Sequence, residues 1–240
     1  MPHHAAPHII CWMVETEIPE LKILTKRDVV KVSPYFKGLP ENLFSIPEGL
    51  AVEERYDRDA MVFSEGDVNG KLFLVASGAI KIYGTSADGK EQIIALARPG
   101  DSFNDVAAFD GGETQSSAQA LTPVIVYSIT GRTLLEKSCQ LDHLAANIIR
   151  ALAFRMRQLG DLVSDLSFRP VVGRLAKILL AQVDDPHRLH LTQRDMAAMA
   201  GTAREVLARA LKAMENQGIV QVAGHRIEIL DRAALERMVV

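Results

Sequence analysis

Arg204, Glu205 and Arg209, grouped with the small Ala208, carry the most specific chemistry in the chain. Arginine can donate two hydrogen bonds to the O6 and N7 of guanine, and a carboxylate can accept one from the N4 of cytosine. On one side of a helix, these residues form a face suited to the base edges of a DNA major groove. The plainer reading is a solvated helix with a Glu205–Arg209 pair at i,i+4, worth only ~0.2–0.5 kcal/mol. The elements that must hold the face decide between the two.

Leu191 to Val220 reads as two short helices around a tight turn. Thr192, three residues before Asp195, is a capping-box start for the first helix. Met196, Met199 and Ala200 form its inner face, and Gly201 supplies the bend, where a residue without a Cβ is favoured. Thr202 is expected to cap the second helix, whose Leu207, Ala210, Leu211 and Met214 recur at helical spacing. Gly218 follows its end, as glycine often does past a helix C-terminus. This is a helix-turn-helix layout. It places Thr192, Thr202, Arg204, Glu205, Ala208 and Arg209 as candidate DNA contacts.

The 240 residues allow about two domains. The net charge of −3 looks wrong for a DNA binder until the chain is divided. From Phe168 onward eleven lysines and arginines stand against eight acids, a local balance of +3 that leaves −6 elsewhere. Positive charge therefore lies where phosphate contact is expected. No run approaches the ~18 apolar residues that mark a membrane span, and no basic segment leads into an apolar one near the amino end. Cys11 and Cys139 are too few and too distant for a disulfide framework. A soluble cytoplasmic protein without a membrane partner is expected.

Residues 1–28 read as an extension, with a short helix over Lys26–Val32 stopped by Ser33-Pro34. From about Leu50 to Ile129 short apolar runs (Met61–Phe63, Leu72–Val75, Ile80–Tyr83, Ile93–Ala97, Val124–Ile129) alternate with glycine turns. This spacing predicts an all-β barrel or sandwich, with Asp88-Gly89 as a hairpin turn. A long helix is expected over Thr133–Phe168. Within it Ile149, Met156 and Val163 alternate with Leu152, Leu159 and Leu166 at 3–4 spacing, a seam that suits a parallel two-stranded coiled coil. Phe168-Arg169-Pro170 interrupts it as a hinge before a helix over Val171–Val183. Beyond the helix-turn-helix, Ile219–Val222 and Arg226–Leu230 read as a small hairpin, or wing, and Asp231 as the cap of a last helix to Val239.

In that order, the parts resemble the Crp–Fnr family of bacterial transcription regulators. The resemblance covers Ser33 to Val240, through PYFKGLPENL, the EGD at Glu65–Asp67, SGAIKIY at Ser77–Tyr83, DGKEQIIALARPGDSF at Asp88–Phe103, VVGRLAKILL at Val171–Leu180 and GTAREVLARALKAMENQGIV at Gly201–Val220. It implies an α+β fold with an N-terminal β-roll at 29–132, of the jelly-roll kind in cyclic-nucleotide-binding domains. A dimerisation helix at 133–168 and a winged helix-turn-helix at 169–240 follow. It also implies a homodimer on a two-fold symmetric operator, gated by a signal in the β-roll, with RNA polymerase as a partner. Arg204, Glu205 and Arg209 match the pattern of the catabolite activator branch, which favours TGTGA-like half-sites. Ala208 stands where the oxygen-regulator branch has serine.

The effector pocket departs from the family's cyclic AMP pattern. The glycine-glutamate step that holds the ribose aligns with Asn104-Asp105, after Phe103, and the arginine-serine step that holds the phosphate aligns with Gln115-Ser116. Gln115 lacks the charge for the phosphate contact, so cyclic AMP is disfavoured and an unknown small-molecule effector is expected. An iron–sulfur cluster needs about four cysteines, and the chain has two. Haem-based sensing of NO or CO, or a redox response, is the alternative. Its axial ligand would come from His143 or from His3, His4, His8 and Cys11, since Gly100–Phe109 offers none. A sensor module without DNA binding is the reading from another class. No catalytic triad, no phosphate loop and no metal-spaced His/Cys set outside the extension points to an enzyme. The sequence leaves open the effector, the regulated genes, activation versus repression, and any role of the His-rich extension.

Overall fold

A computed structural model describes residues 23–137, 141, 143–184, 189, 191–223 and 226–239. Most of the extension, with His3, His4, His8 and Cys11, lies outside the described residues, as does Cys139. The chain divides into two compact units. One holds residues 23–85 and 94–159, the other 86–93 and 160–239.

The first unit opens with α1 (Lys26–Val32), the helix expected there. Thr25 caps it through a capping box with Asp28 and Ser33 ends it before Pro34, and Val29 and Val30 are buried. α2 (Ser45–Leu50) follows. The strands are β1 (Val52–Tyr56), β2 (Met61–Phe63), β3 (Lys71–Ser77), β4 (Ile80–Thr85), β5 (Glu91–Ala97), β6 (Ser102–Phe103), then, past α3 (Asp105–Asp110), β7 (Ser117–Ala120) and β8 (Val124–Thr130). They form two four-stranded sheets, ordered β1-β8-β3-β6 and β2-β7-β4-β5. Every apolar run expected to be a strand is one. Three strands fall outside those runs: the two-residue β6, β7 with its Ser-Ala-Gln-Ala, and β1, whose Val-Glu-Glu-Arg-Tyr pairs antiparallel with β8 but shows little apolar alternation.

Stacked rings from three strands occupy the core of this unit. Phe73 and Phe103 lie 5.0 Å apart between centroids, and Phe63 stands 5.7 Å from Phe73. Gly78 turns β3 into β4 at φ +82, and a Cβ there would meet the Pro123 carbonyl oxygen at 2.3 Å. Asp88-Gly89 forms the expected turn, with Gly89 N donating to Ser86 O at 2.8 Å.

The stretch expected as one helix from Thr133 is two. α4 (Gly131–Glu136) ends at Lys137, and α5 runs from Leu144 to Phe168. Between them His143 adopts a left-handed backbone at φ +69, which a continuing helix cannot include. Leu144, Asn147, Ile148 and Ala151 bury one face of α5, and Asn147 Nδ2 donates to the carbonyls of Tyr35 and Lys37 at 3.1 and 2.8 Å.

The second unit continues through α6 (Val171–Asp184), α7 (Gln193–Met199), α8 (Arg204–Asn216), the antiparallel pair β9 (Val220–Ala223) and β10 (Arg226–Ile229), and α9 (Arg232–Met238). Its core includes Leu175, Ile178, Leu179, Met196, Leu207, Leu211, Met214 and Leu235. Arg232 reaches Asp184 through two parallel hydrogen bonds of 2.6 and 2.9 Å, tying α9 to the end of α6. That guanidinium holds the Asp184 carboxyl below its usual range. Asp231 caps α9 as expected, accepting from Ala234 N at 2.9 Å.

Candidate nucleic-acid interface

Thr192 and Asp195 build the start of α7. Asp195 N donates to Thr192 Oγ1 at 3.1 Å, and Thr192 N donates to Asp195 Oδ2 at 3.0 Å. Gly201 then takes φ +61, and a Cβ there would stand 2.5 Å from Leu166 Cδ2. Thr202 does not cap α8. Ala203 holds that position, with no side-chain cap bond, while Thr202 N donates to Ala197 O at 3.0 Å and closes the turn. The turn is one residue longer than the hydroxyl alone indicated.

Leu207, Ala210, Leu211 and Met214 bury the inner face of α8. Arg204, Glu205, Ala208 and Arg209 are all exposed on its first turns. Of the other two candidates, Thr192 is exposed at the start of α7 and Thr202 is half-buried. At the far end, Gly218 N donates to Glu215 O and Ile219 N to Met214 O, at 2.9 and 3.0 Å. With Gly218 at φ +69 this is a Schellman ending. Glu215 also accepts from Lys212 Nζ at 2.8 Å and from Val222 N at 3.2 Å, which ties α8 to the wing. Both bonds, Lys212's first, hold its carboxyl below the usual range.

On α5 the expected seam is mostly bare. Ile149, Met156 and Val163 are 67, 73 and 62% exposed, and Leu159 is 45% exposed. Leu152 and Leu166 differ. Leu152 packs partly against the core of the first unit, and Leu166 meets the Gly201 turn. At the hinge Phe168 is largely exposed, while Arg169 pairs with the Asp165 carboxylate.

The expected effector residues are divided. Phe103 is part of the stacked core. Asn104 sits left-handed at φ +65 and donates to the carbonyls of Asn69 and Lys71 at 2.7 and 2.9 Å, so its amide holds a loop. Gln115 is exposed and Ser116 half-buried. Asp105, almost wholly buried, accepts from Arg155 Nε at 2.5 Å. Arg155 Nη2 also reaches the Ser102 carbonyl and hydroxyl oxygens at 2.5 and 3.0 Å. Burial pushes the nearby Tyr35 phenol far above its usual pKa, and the Asp105 charge pushes the same way. Sequence reasoning missed Arg155. The available signal was a cation on the face of α5 that otherwise buries Leu144, Ile148 and Ala151.

Comparison with known proteins matches two family descriptions: a cyclic nucleotide-binding domain over residues 53–138, and a Crp-like helix-turn-helix domain over residues 173–238. The Cyclic AMP receptor protein of Thermus thermophilus is 30% identical over 212 residues, which span 87% of this chain and 98% of that protein. The chain belongs to the Crp–Fnr family. A CRP-like cAMP-activated global transcriptional regulator of Mycobacterium tuberculosis is 30% identical over 191 residues, covering 76% of this chain and 85% of its own. Among solved structures, FixK2 from Bradyrhizobium japonicum matches with TM-score 0.66 and 25% identity over 78% of this chain and 96% of that one. As a Crp–Fnr member the chain is a DNA-binding transcription regulator and not an enzyme. No described helix is long and apolar enough to cross a membrane.

Proposed function

We propose that the protein acts as a homodimer that reads an inverted-repeat operator through α8, under control of a signal received in the β-roll. The observation that carries the reading is the joint exposure of Arg204, Glu205, Ala208 and Arg209 over a buried Leu207–Leu211 face. The arginines take guanines and Glu205 the opposing cytosine, so a TGTGA-like half-site is proposed. The bare stripe of Ile149, Met156, Leu159 and Val163 supports pairing of α5 with its copy. In functional terms 1–28 is an extension, 29–132 the sensing domain, 133–168 the dimerisation segment and 169–240 the DNA-binding domain. RNA polymerase is the proposed further partner, and the cytoplasm the proposed location.

By its name the Thermus relative is a cyclic AMP receptor. We propose that this chain does not share that effector. Gln115 offers no charge to a cyclic phosphate, and the Arg155 guanidinium beside the pocket residues is already engaged by Asp105 and Ser102. A different small molecule is proposed, with haem the alternative cofactor.

Titration of a labelled duplex carrying a TGTGA inverted repeat, beside a scrambled duplex of equal length, tests the reading. Specific binding is expected to exceed non-specific by at least ~10³-fold at moderate salt. Equal affinity for the two duplexes would contradict it.

A further inference from the structure

Arg174, on the first turns of α6, joins two helix ends. Its Nη1 donates to the carbonyl of Arg169 at 2.7 Å and to those of Leu166 and Asp165 at 3.3 and 3.4 Å, around the C-terminus of α5. Its Nε donates to the carbonyl of Ala200 at 2.6 Å, the residue that ends α7. The last carbonyls of a helix have no partner within it and carry its negative dipole end. One guanidinium thus serves two such ends at once. Beside it the Asp165 carboxylate accepts from Lys177 Nζ at 2.5 Å and from Arg169. Leu166 presses on Gly201, whose missing Cβ makes the approach possible.

We propose that Arg174 is the positioning residue for DNA reading. It clamps the helix-turn-helix turn onto the end of α5 and so fixes the direction in which α8 leaves that turn. The planar fork is essential. Its donors point in fixed directions, and a lysine ammonium is one point charge that cannot hold both helix ends in that geometry. Only three residues separate Ala200 from the start of α8. A carbonyl held at Ala200 therefore passes its orientation to Arg204 and Glu205 through a short, glycine-set turn.

The inference rests on the proposal that α8 reads DNA, and its test separates the two. Full-length protein with Cys11 and Cys139 replaced by serine carries nitroxides at the exposed positions of Asp161→Cys and Ala213→Cys. It is diluted with unlabelled protein so that distances within one chain dominate. Arg174→Lys and Arg174→Ala are compared with the parent by pulsed dipolar spectroscopy, and by titration of operator and scrambled duplexes across salt. Both variants are expected to broaden the single distance peak. Both should weaken operator binding about tenfold, with scrambled-duplex affinity and salt slope unchanged.

Wild-type behaviour of Arg174→Lys in both measurements would overturn the proposal, because charge without the fork would suffice. A salt slope reduced by about one in Arg174→Ala would make Arg174 a phosphate contact instead. If Arg174→Ala does not fold, Arg174→Lys alone decides. Should the parent show no operator preference, the α8 reading fails, and the distance peak still tests the clamp.

Discussion

Arg155 and Asp105 form an ion pair inside the first unit, where removing one partner strands the other charge. Breaking a buried pair in this way costs ~3–5 kcal/mol. Arg155→Ala should lower unfolding free energy by that order in urea titration, and Asp105→Asn should restore part of it in the double variant. An additive double variant would show that the two side chains do not depend on each other. The pairing was not legible in the sequence because its members lie 50 residues apart, although Arg155 itself stands at helical spacing on the face of α5 that buries Leu144, Ile148 and Ala151. The exposed face of α8, proposed to read DNA, was legible for the opposite reason. Arg204, Glu205 and Arg209 stand on one helix whose apolar spacing fixes which side is buried. Arg204→Ala or Arg209→Ala should each cost ~1–3 kcal/mol per half-site and relax preference at one base position, as measured with single-base operator variants. Loss that is uniform across sequences would make the residue a phosphate contact.

At the level of elements, β2, β3, β4, β5 and β8 followed from apolar runs bounded by glycine turns, and α6 from the proline before it, while β1, β6 and β7 carry no such run. The break between α4 and α5 did not, since helical spacing on both sides masks the left-handed turn at His143. The heptad spacing leaves Ile149, Met156, Leu159 and Val163 as an exposed stripe, whereas Leu152 packs against the core of the first unit and Leu166 meets Gly201, which comes from a distant segment. Leu159→Lys places two charges in the proposed α5 seam and should give monomers with weak operator binding. Sedimentation that shows it still dimeric at micromolar concentration would put the interface elsewhere. The wing carries a pH prediction. Glu215 has its pKa depressed in the folded state by Lys212 and by the Val222 amide. Its contribution is therefore complete above the ordinary value of 4.5 and is lost as pH falls through the lower folded value. Exchange protection of the Val222 amide should fall over that acid range in the parent and not in Glu215→Gln. Identical profiles would detach the wing from Glu215.

For the whole molecule, family membership gives a regulator that binds DNA, and the proposal that its effector is not cyclic AMP rests on Gln115 and on the engagement of Arg155 by Asp105 and Ser102. The protein should give no heat with cyclic AMP at physiological concentrations in isothermal titration. A micromolar dissociation constant would mean that another cation, such as Arg98 or Arg132, meets the phosphate. Central to the proposed function is a dimer that reads an inverted repeat with α8. Selection from a random duplex library with the parent and with the Glu205→Ala and Arg209→Ala variants tests that directly. The parent should enrich an inverted repeat whose half-sites lie about one helical turn, ~34 Å, apart, and each variant should lose preference at its own base position. An enriched motif without two-fold symmetry, or one unchanged in both variants, would contradict it.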